Sequence, residues 1–180
     1  MPSNLIVIYG PPLSGKSTLA WALGRSMPAK TAIVSADQLL EGALPVPGED
    51  ADAELDMVHV QLRLLVANYM KNRYHAIVEG PFIYERDGAF FNFESDIDQL
   101  IALMRQMTDR AIVVRLQSSE DVRATRAAAA GRESELATAQ RVESAYKDRF
   151  GVRFHTFDTG AMTTEEVVGE VQAALNASTD

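Results

Sequence analysis

The N-terminal part of the chain contains a glycine-rich segment whose residue types and spacing suit phosphate binding. Residues 10–17, GPPLSGKS, match the pattern G-x-x-x-x-G-K-[ST] at every fixed position. Glycines let the backbone turn so that its amide groups point at phosphate oxygens. Lys16 can reach the β- and γ-phosphates, and the Ser17 hydroxyl can ligate Mg²⁺. The nucleotide contacts that we predict are Gly10, Pro11, Pro12, Leu13, Ser14, Gly15, Lys16, Ser17 and Thr18.

Two carboxylates follow apolar runs and are expected at one edge of a sheet. Asp37 comes after the run 31–35, and Glu79 closes the run 75–78. In open parallel sheets, ligands gather outside the carboxyl ends of the strands. We therefore predict that Asp37 binds the molecule whose hydroxyl accepts a phosphoryl group, the acceptor, and takes the proton of that hydroxyl. We predict that Glu79 acts with Ser17 at the Mg²⁺ ion. A helix or turn cap is the alternative for either acid.

Three arginines lie in a segment that we expect to form a short helical lid, about 118–149. Arg123 and Arg126 are three residues apart on a predicted helix and should share a face. Arg132 follows Gly131 in the predicted turn to the next helix. The rigid fork of arginine matches the charge that spreads over a transferring phosphoryl group. We predict a catalytic role for all three, with a solvated helix face as the alternative.

Apolar β-branched runs alternate with helical patterns along the chain, which predicts βαβ units and a parallel sheet. The strand-like runs are 5–9, 31–35, 75–78, 111–116 and 152–157. Ser118, followed by Asp121, is expected to cap the lid helix that Gly131 ends. The chain has 180 residues, without an internal repeat or linker, and we predict a single α/β domain over 1–180.

Composition restricts the classes of partner. The net charge of −8 disfavours a broad nucleic-acid surface, which needs clustered cations. The absence of cysteine excludes disulfides and thiolate metal sites. The sequence has no run of eighteen apolar residues, so no membrane span is expected. The N-terminus lacks the basic region of a signal peptide. We therefore expect a cytoplasmic protein with a small-molecule partner, and neither a membrane nor a nucleic-acid partner.

Several segments, in this order, resemble the small P-loop kinases of the nucleoside and nucleotide kinase superfamily. They are GPPLSGKST, IVSAD, IVEGPF, and VRATR with Arg132 after it. The likeness covers nearly the whole chain and is greatest to the group of zeta toxins, chloramphenicol phosphotransferase, gluconate kinase and the kinase domain of polynucleotide kinase. It implies a three-layer P-loop NTPase fold with a five-stranded parallel sheet of order 2-3-1-4-5.

The resemblance also implies a kinase that moves the γ-phosphoryl group of ATP–Mg²⁺ to a hydroxyl of a small molecule. By position, Asp37 is similar to the acceptor-side base, Lys16 and Ser17 to the ATP–Mg²⁺ contacts, and the three arginines to the lid. A slow regulatory ATPase and a zeta-toxin-like nucleotide-sugar kinase remain alternatives. The strand 111–116 leads into Gln117 rather than a guanine-binding Asn-Lys-x-Asp motif, which counts against a GTPase switch.

The acceptor is not identified by the sequence. Leu40 occupies the position where polynucleotide and related kinases often carry an arginine, which argues against a phosphorylated acceptor. Arg86 is the substitute that we consider for substrate binding. Five of the thirteen aromatic residues crowd into the segment 82–93, and we expect Phe82 to wall the acceptor pocket. Core packing is the alternative for this aromatic segment.

Overall fold

Five parallel strands form the central sheet of the protein. A computed structural model describes residues 3–27, 30–43, 51–86, 88–108, 110–146 and 154–177. The strands of this sheet are β1 (Leu5–Tyr9), β2 (Thr31–Ser35), β3 (His75–Gly80), β6 (Ala111–Gln117) and β7 (Phe154–Asp158). Two further strands in the described ranges, β4 (Ile83–Arg86) and β5 (Ala89–Asn92), lie outside it. The sheet has the order β2-β3-β1-β6-β7, so the order 2-3-1-4-5 is confirmed when only its own strands are counted.

Helices cover both faces of this sheet. They are α1 (Lys16–Ser26), α2 (Ala36–Ala43), α3 (Ala51–Lys71), α4 (Glu94–Met104), α5 (Glu120–Ala130), α6 (Leu136–Ala145) and α7 (Thr164–Asn176). Alternate residues of β1 point to opposite faces. Leu5 and Val7 therefore pack in the core with α3 and α4, whereas Ile6 and Ile8 pack with α1 and α7. The expected three-layer fold is confirmed. No helix in the described ranges is both long and apolar enough to cross a membrane.

The aromatic segment after β3 forms an antiparallel hairpin, which the sequence did not predict. Strands β4 and β5 pair from Ile83 with Asn92 to Arg86 with Ala89. At the open end of the hairpin, the Phe93 amide donates to the Phe82 carbonyl at 2.7 Å. The hairpin is separate from the parallel sheet and follows β3 directly. It therefore stands beside the carboxyl edge, where the ligand site was expected.

A close approach of two backbones positions the start of α2. This helix begins at Ala36, immediately after β2, and Asp37 lies in its first turn. A side chain at Gly80 would place its Cβ 2.7 Å from the Ala36 Cβ, so the end of β3 requires glycine here. Asp37 is thus held beside the end of β3. The loop expected over 41–51 is helical through Ala43, and residues 44–50 lie outside the described part.

The lid segment contains two helices joined by a turn. Gly131 ends α5 with φ 67°, as predicted, and a 3-10 turn at Glu133–Glu135 leads into α6. The expected cap is wrong by one residue, because the Ser119 side chain accepts the hydrogen bond from the Val122 amide at 3.4 Å. Ser118 is buried, and its carbonyl accepts from Arg123 instead.

Candidate nucleotide and acceptor site

A cleft of about 810 Å³ opens at the carboxyl edge of the sheet. Two groups of residues line it, and they come largely from different segments of the chain. We call the first group the nucleotide half; it includes Leu13, Gly15, Lys16, Thr18, Arg126, Thr159 and Thr163. We call the second the acceptor half; it includes Asp37, Glu41, Ile83, Tyr84, Glu85 and Thr138. The acceptor half follows β2 and β3 on one side of β1, with Thr138 of α6 added, whereas the nucleotide half follows β1 itself, β6 and β7.

The glycine-rich loop between β1 and α1 has backbone angles that constrain its sequence. Gly10 has φ 153°, and a Cβ there would lie 2.4 Å from the Leu116 carbonyl oxygen. Gly15 precedes α1 with φ 95° in the left-handed region, where glycine is favoured. Leu13 has φ 66°, a conformation that is uncommon for a residue with a side chain. The loop therefore leads into the N-terminus of α1, where backbone amides and the helix dipole stabilise bound anions.

Lys16 is the cation at the centre of the loop. It is 7% exposed, and its Nζ donates to the Pro11 carbonyl at 3.0 Å. Burial lowers the pKa of Lys16, while Asp37 and Glu79 oppose that shift. Ser17 and Thr18 are exposed at the cleft, and Pro12 is half-buried in its wall. The loop thus presents one desolvated ammonium group and two hydroxyls where phosphates would bind.

Asp37 is a half-buried carboxylate in the acceptor half. Burial raises the pKa of Asp37, Lys16 lowers it, and Glu79 and Glu41 raise it further. Asp37 and Lys16 therefore interact electrostatically across the cleft that both residues line. The arrangement can hold an acceptor hydroxyl between a carboxylate and the terminal phosphate of a nucleotide.

Glu79 has a carboxylate of the kind that holds metal ions, but the residue itself does not line the cleft. It is 3% exposed at the carboxyl end of β3, in register with Ile8 and Ser35. Its Oε2 is buried without a hydrogen-bond partner among the described residues. Mg²⁺ prefers oxygen ligands and is often held by one or two protein groups plus phosphates. In the described ranges no cluster of three or more His, Asp or Glu residues could hold a metal ion.

The three lid arginines have different surroundings. Arg123 is 6% exposed, donates to the Ser118 carbonyl, and lies 3.5 Å from Glu143 Oε2. It does not line the cleft, so the expectation that it shares a cleft-facing surface with Arg126 is wrong. Arg123 therefore joins α5 to α6 in the protein interior.

Arg126 and Arg132 both line the cleft. Arg126 donates from Nη1 to the Leu13 carbonyl at 3.1 Å and from Nη2 to the Thr159 carbonyl at 2.8 Å. It thereby joins α5 to the glycine-rich loop. Arg132 is about half exposed and pairs with Glu135 through two hydrogen bonds. Asp37 and Arg132 each influence the pKa of the other, which places Arg132 near the acceptor half.

The acceptor wall differs from the sequence-based expectation. Phe82 has no exposed surface, belongs to the core beneath the hairpin, and does not line the cleft. The expectation that Phe82 walls the acceptor pocket is therefore wrong. Ile83 and Tyr84, the next two residues, line the cleft instead. The positive φ of Phe82, 54°, turns the chain at this point. Arg86 ends β4, and its side chain lies outside the described part.

Residues after β7 complete the nucleotide half, and the sequence analysis missed them. Thr159 Oγ1 accepts from Arg126 Nη1 at 2.9 Å and lies 3.0 Å from the Ser14 carbonyl oxygen, to which it can donate. Met162, Thr163 and Thr164 line the same half. Their position after the last strand of a parallel sheet was the available signal. Glu41 was also missed, although it stands one helical turn after Asp37.

The fold and this cleft define a P-loop nucleotide-binding protein with the fold of the small P-loop kinases. The chain belongs to the AAA domain family AAA_33, whose model matches residues 5–155. No curated protein sequence matches the chain.

Several solved structures share the fold. A gluconokinase from Sinorhizobium meliloti 1021 is 22% identical, with 98% of this chain and 93% of that chain covered and a TM-score of 0.62. The APS kinase of Mycobacterium tuberculosis is 14% identical, with coverages of 97% and 98% and a TM-score of 0.71. Shikimate kinase from Acinetobacter baumannii is 11% identical, with coverages of 98% and 95% and a TM-score of 0.63. These likenesses confirm the expected fold.

Proposed function

We propose that the protein is an ATP-dependent phosphotransferase that phosphorylates a hydroxyl group of a small molecule. The observation that carries the proposal is the placement of Asp37 beside the buried Lys16 in one cleft. A protein that only binds and hydrolyses a nucleotide has no bound alcohol as acceptor, and therefore needs no base beside one. The proposal is supported by the likeness to solved structures that include a gluconokinase, an APS kinase and a shikimate kinase.

The nucleotide half would bind ATP through the glycine-rich loop. Lys16 would exchange the Pro11 carbonyl for oxygens of the β- and γ-phosphates, and the amides at the start of α1 would stabilise their charge. Ser17 and Glu79 would hold Mg²⁺, directly or through water. When bound, the ion neutralises phosphate charge and orients the γ-phosphoryl group. Arg126, Thr159 and Thr163 would border the rest of the nucleotide.

The transfer step uses residues of both halves. The acceptor oxygen would attack the γ-phosphorus as the bond to the β-phosphate oxygen breaks, and the hydroxyl proton would pass to Asp37. Lys16 and Arg132 would stabilise negative charge on the transferring group and on the leaving ADP. Arg132 holds Glu135 through Nε and Nη2, which leaves Nη1 for this contact. Arg123 has no part in this step, because it lies away from the cleft.

A cytoplasmic location is part of the proposal, since ATP is the donor. So is the division of a single domain into a sheet core and a lid formed by α5, the 3-10 turn and α6. The proposed partner is the acceptor itself, a small molecule bound in the acceptor half. The regulatory ATPase is the rival class, and the same experiment distinguishes it.

The test measures transfer of labelled phosphate from γ-labelled ATP to a panel of sugars, cyclitols, nucleosides and amino alcohols. With the best acceptor, Asp37→Asn should bind ATP–Mg²⁺ with near-native affinity but transfer phosphate at least about a hundredfold more slowly, the ordinary worth of a general base. Asp98→Asn, an exposed change on α4, is the matched control and should behave as the native protein. Native-rate transfer by Asp37→Asn would reduce Asp37 to a turn residue. ATP hydrolysis that no acceptor stimulates and that Asp37→Asn leaves unchanged would favour the regulator.

A further inference from the structure

The acceptor half of the cleft carries more acidic than basic groups. Asp37 and Glu41 are four residues apart on α2, and both line the cleft. Neither carboxylate forms an ion pair with another described residue. Glu85 lines the same half and pairs with Arg141 at 2.7 Å. A ligand that enters this half therefore meets two carboxylates that no ion pair with a described residue neutralises.

The basic groups at the cleft are already committed. Lys16 lies at the phosphate-binding loop and is required there by the nucleotide proposed above. Arg132 holds Glu135 through Nε and Nη2, one edge of its guanidinium group, and that carboxylate offsets its charge. The third, Arg126, is bonded to the loop and to Thr159 in the nucleotide half. Lys16 and Arg132 both act on Asp37, but in the described part of the chain neither forms an ion pair with Asp37 or Glu41, and Glu135 already offsets the charge of Arg132.

Tyr84 supplies a second, independent indication of a ligand. It is 9% exposed, it lines the acceptor half, and its hydroxyl has no hydrogen-bond partner among the described residues. Burial raises the pKa of Tyr84 well above its usual value, and Asp37, Glu79 and Asp96 add to the shift. The hydroxyl therefore keeps its proton and can donate. A buried donor without a partner is unfavourable, so a bound oxygen is its natural acceptor.

The Tyr84 ring is held in place from behind. The His59 ring contacts it edge-on at 5.8 Å between centroids, and the Phe93 ring does so at 5.9 Å. His59 itself stacks on Phe93 at 4.3 Å and is 1% exposed. Since these rings are packed, the Tyr84 hydroxyl cannot swing freely to find a partner. The Tyr84 side chain is therefore fixed at the wall of the acceptor half.

We infer that the acceptor is a hydroxyl compound that also carries a protonated amino group, with the ammonium group near Glu41 and an oxygen accepting from Tyr84. This inference rests on the proposed function. An ammonium group would be attracted to the two free carboxylates, whereas a carboxylated or phosphorylated acceptor would be repelled by both. A cation bound there would also favour the ionised form of Asp37, which a general base needs.

The reaction balances with these groups alone. The acceptor oxygen forms a bond to the γ-phosphorus, the bond to the β-phosphate oxygen breaks, and ADP leaves. The hydroxyl proton passes to Asp37. The ammonium group takes no part in bond making, and it orients the acceptor so that one hydroxyl faces the phosphate. Tyr84 and Glu41 are positioning residues in this scheme.

The experiment compares matched acceptors on the native protein in the presence of ATP and Mg²⁺. Each set shares one hydroxylated ring that carries an amine, an N-acetylated amine, a hydroxyl or a carboxylate, as in glucosamine, N-acetylglucosamine, glucose and glucuronate. Hexose, cyclitol and nucleoside sets are tested. In the set that reacts, the amine should have the highest kcat/KM, and N-acetylation, which removes the charge, should lower it.

Variants identify the residues responsible. Glu41→Gln should lower the ratio of kcat/KM for the amine to that for the neutral member about two- to fivefold, as expected for one exposed ion pair. Glu170→Gln, an exposed change on α7, is the matched control. Tyr84→Phe should lower kcat/KM for every acceptor about two- to tenfold, the ordinary worth of one hydrogen bond, without changing the Kd of ATP.

The outcomes separate this inference from the proposed function. Preference for the carboxylate or the neutral member overturns the inference and leaves the kinase proposal intact. An amine preference that Glu41→Gln does not reduce overturns the role of Glu41, and native behaviour of Tyr84→Phe overturns that of Tyr84. Transfer to no member of any set, with ATP still bound, contradicts both the proposed function and the inference.

Discussion

At the scale of single residues, Asp37 has two conflicting requirements. A general base must be ionised, but burial and the charges of Glu79 and Glu41 raise the pKa of Asp37, whereas Lys16 and Arg132 lower it. The net shift is upward, so the ionised carboxylate is disfavoured in the folded protein relative to the unfolded chain. Perturbed groups of this kind cluster at functional sites. The position of Asp37 therefore favours chemistry at the expense of stability.

This conflict predicts the effect of Asp37→Asn on stability. A folded-state pKa raised above 3.8 means that the favourable contribution is present below that pH and is lost as the pH rises through the folded-state value. At pH 7 the asparagine variant, which lacks the disfavoured charge, should have a higher free energy of unfolding than the native protein. The gain should shrink as the pH falls toward 4. Urea unfolding from pH 4 to 7 measures it, with Asp98→Asn as the control; a native-like or less stable variant at pH 7 would contradict the shift.

At the scale of elements, the lid separates two arginines that the sequence treated alike. Arg126, on α5, reaches the glycine-rich loop and Thr159, so it braces the nucleotide half. Arg132 lies after the end of α5, beside the acceptor half, and its partner Glu135 is only three residues away. A contact formed with the loop before any transfer contributes to ground-state binding, whereas a group that meets developing charge contributes to rate.

The two replacements should therefore have different kinetic signatures. Arg126→Ala should mainly raise the Kd and KM of ATP, because it removes two hydrogen bonds to backbone carbonyls of the nucleotide half. Arg132→Ala should mainly lower kcat, by about tenfold or more, with a smaller effect on ATP affinity. Arg105→Ala, an exposed change at the end of α4, controls for loss of charge. Steady-state kinetics and direct measurements of ATP binding test this difference. A loss of ATP affinity in Arg132→Ala together with a loss of kcat in Arg126→Ala would contradict the assigned roles.

The elements also show what the sequence could predict. The glycine-rich loop, the five parallel strands and the end of α5 at Gly131 follow from local patterns and were predicted. The hairpin of β4 and β5 was not, because its aromatic residues show no clean alternation and Phe82 turns inward. The burial of Arg123 depends on Glu143, twenty residues away, which helical spacing does not reveal. Contacts between distant segments, such as Thr159 with Ser14, likewise need the folded chain.

At the scale of the whole molecule, the cleft depends on segments that meet only after folding. Arg126 contacts Leu13, and Thr159 contacts Ser14, across 113 and 145 residues of sequence. The unfolded chain has no such cleft, and a ligand that binds the folded state alone stabilises it by mass action. Nucleotide binding should therefore be measurable as stability, without any knowledge of the acceptor.

This linkage gives a last prediction. At a concentration of ATP–Mg²⁺ one hundred times its Kd, the stabilisation is about 2.7 kcal/mol, which corresponds to a rise in Tm of roughly 5–10 °C for a chain of this size. Part of the rise should require Mg²⁺ and disappear with EDTA. Glu79→Gln keeps the shape of the buried side chain but removes the charge of the unpartnered Oε2, so it should lose most of the Mg²⁺-dependent part and keep the part that ATP gives in EDTA. Glu170→Gln should retain both parts. An unchanged Mg²⁺ increment in Glu79→Gln would exclude its carboxylate from the metal site, and the absence of any ATP effect on native Tm would contradict the nucleotide site itself.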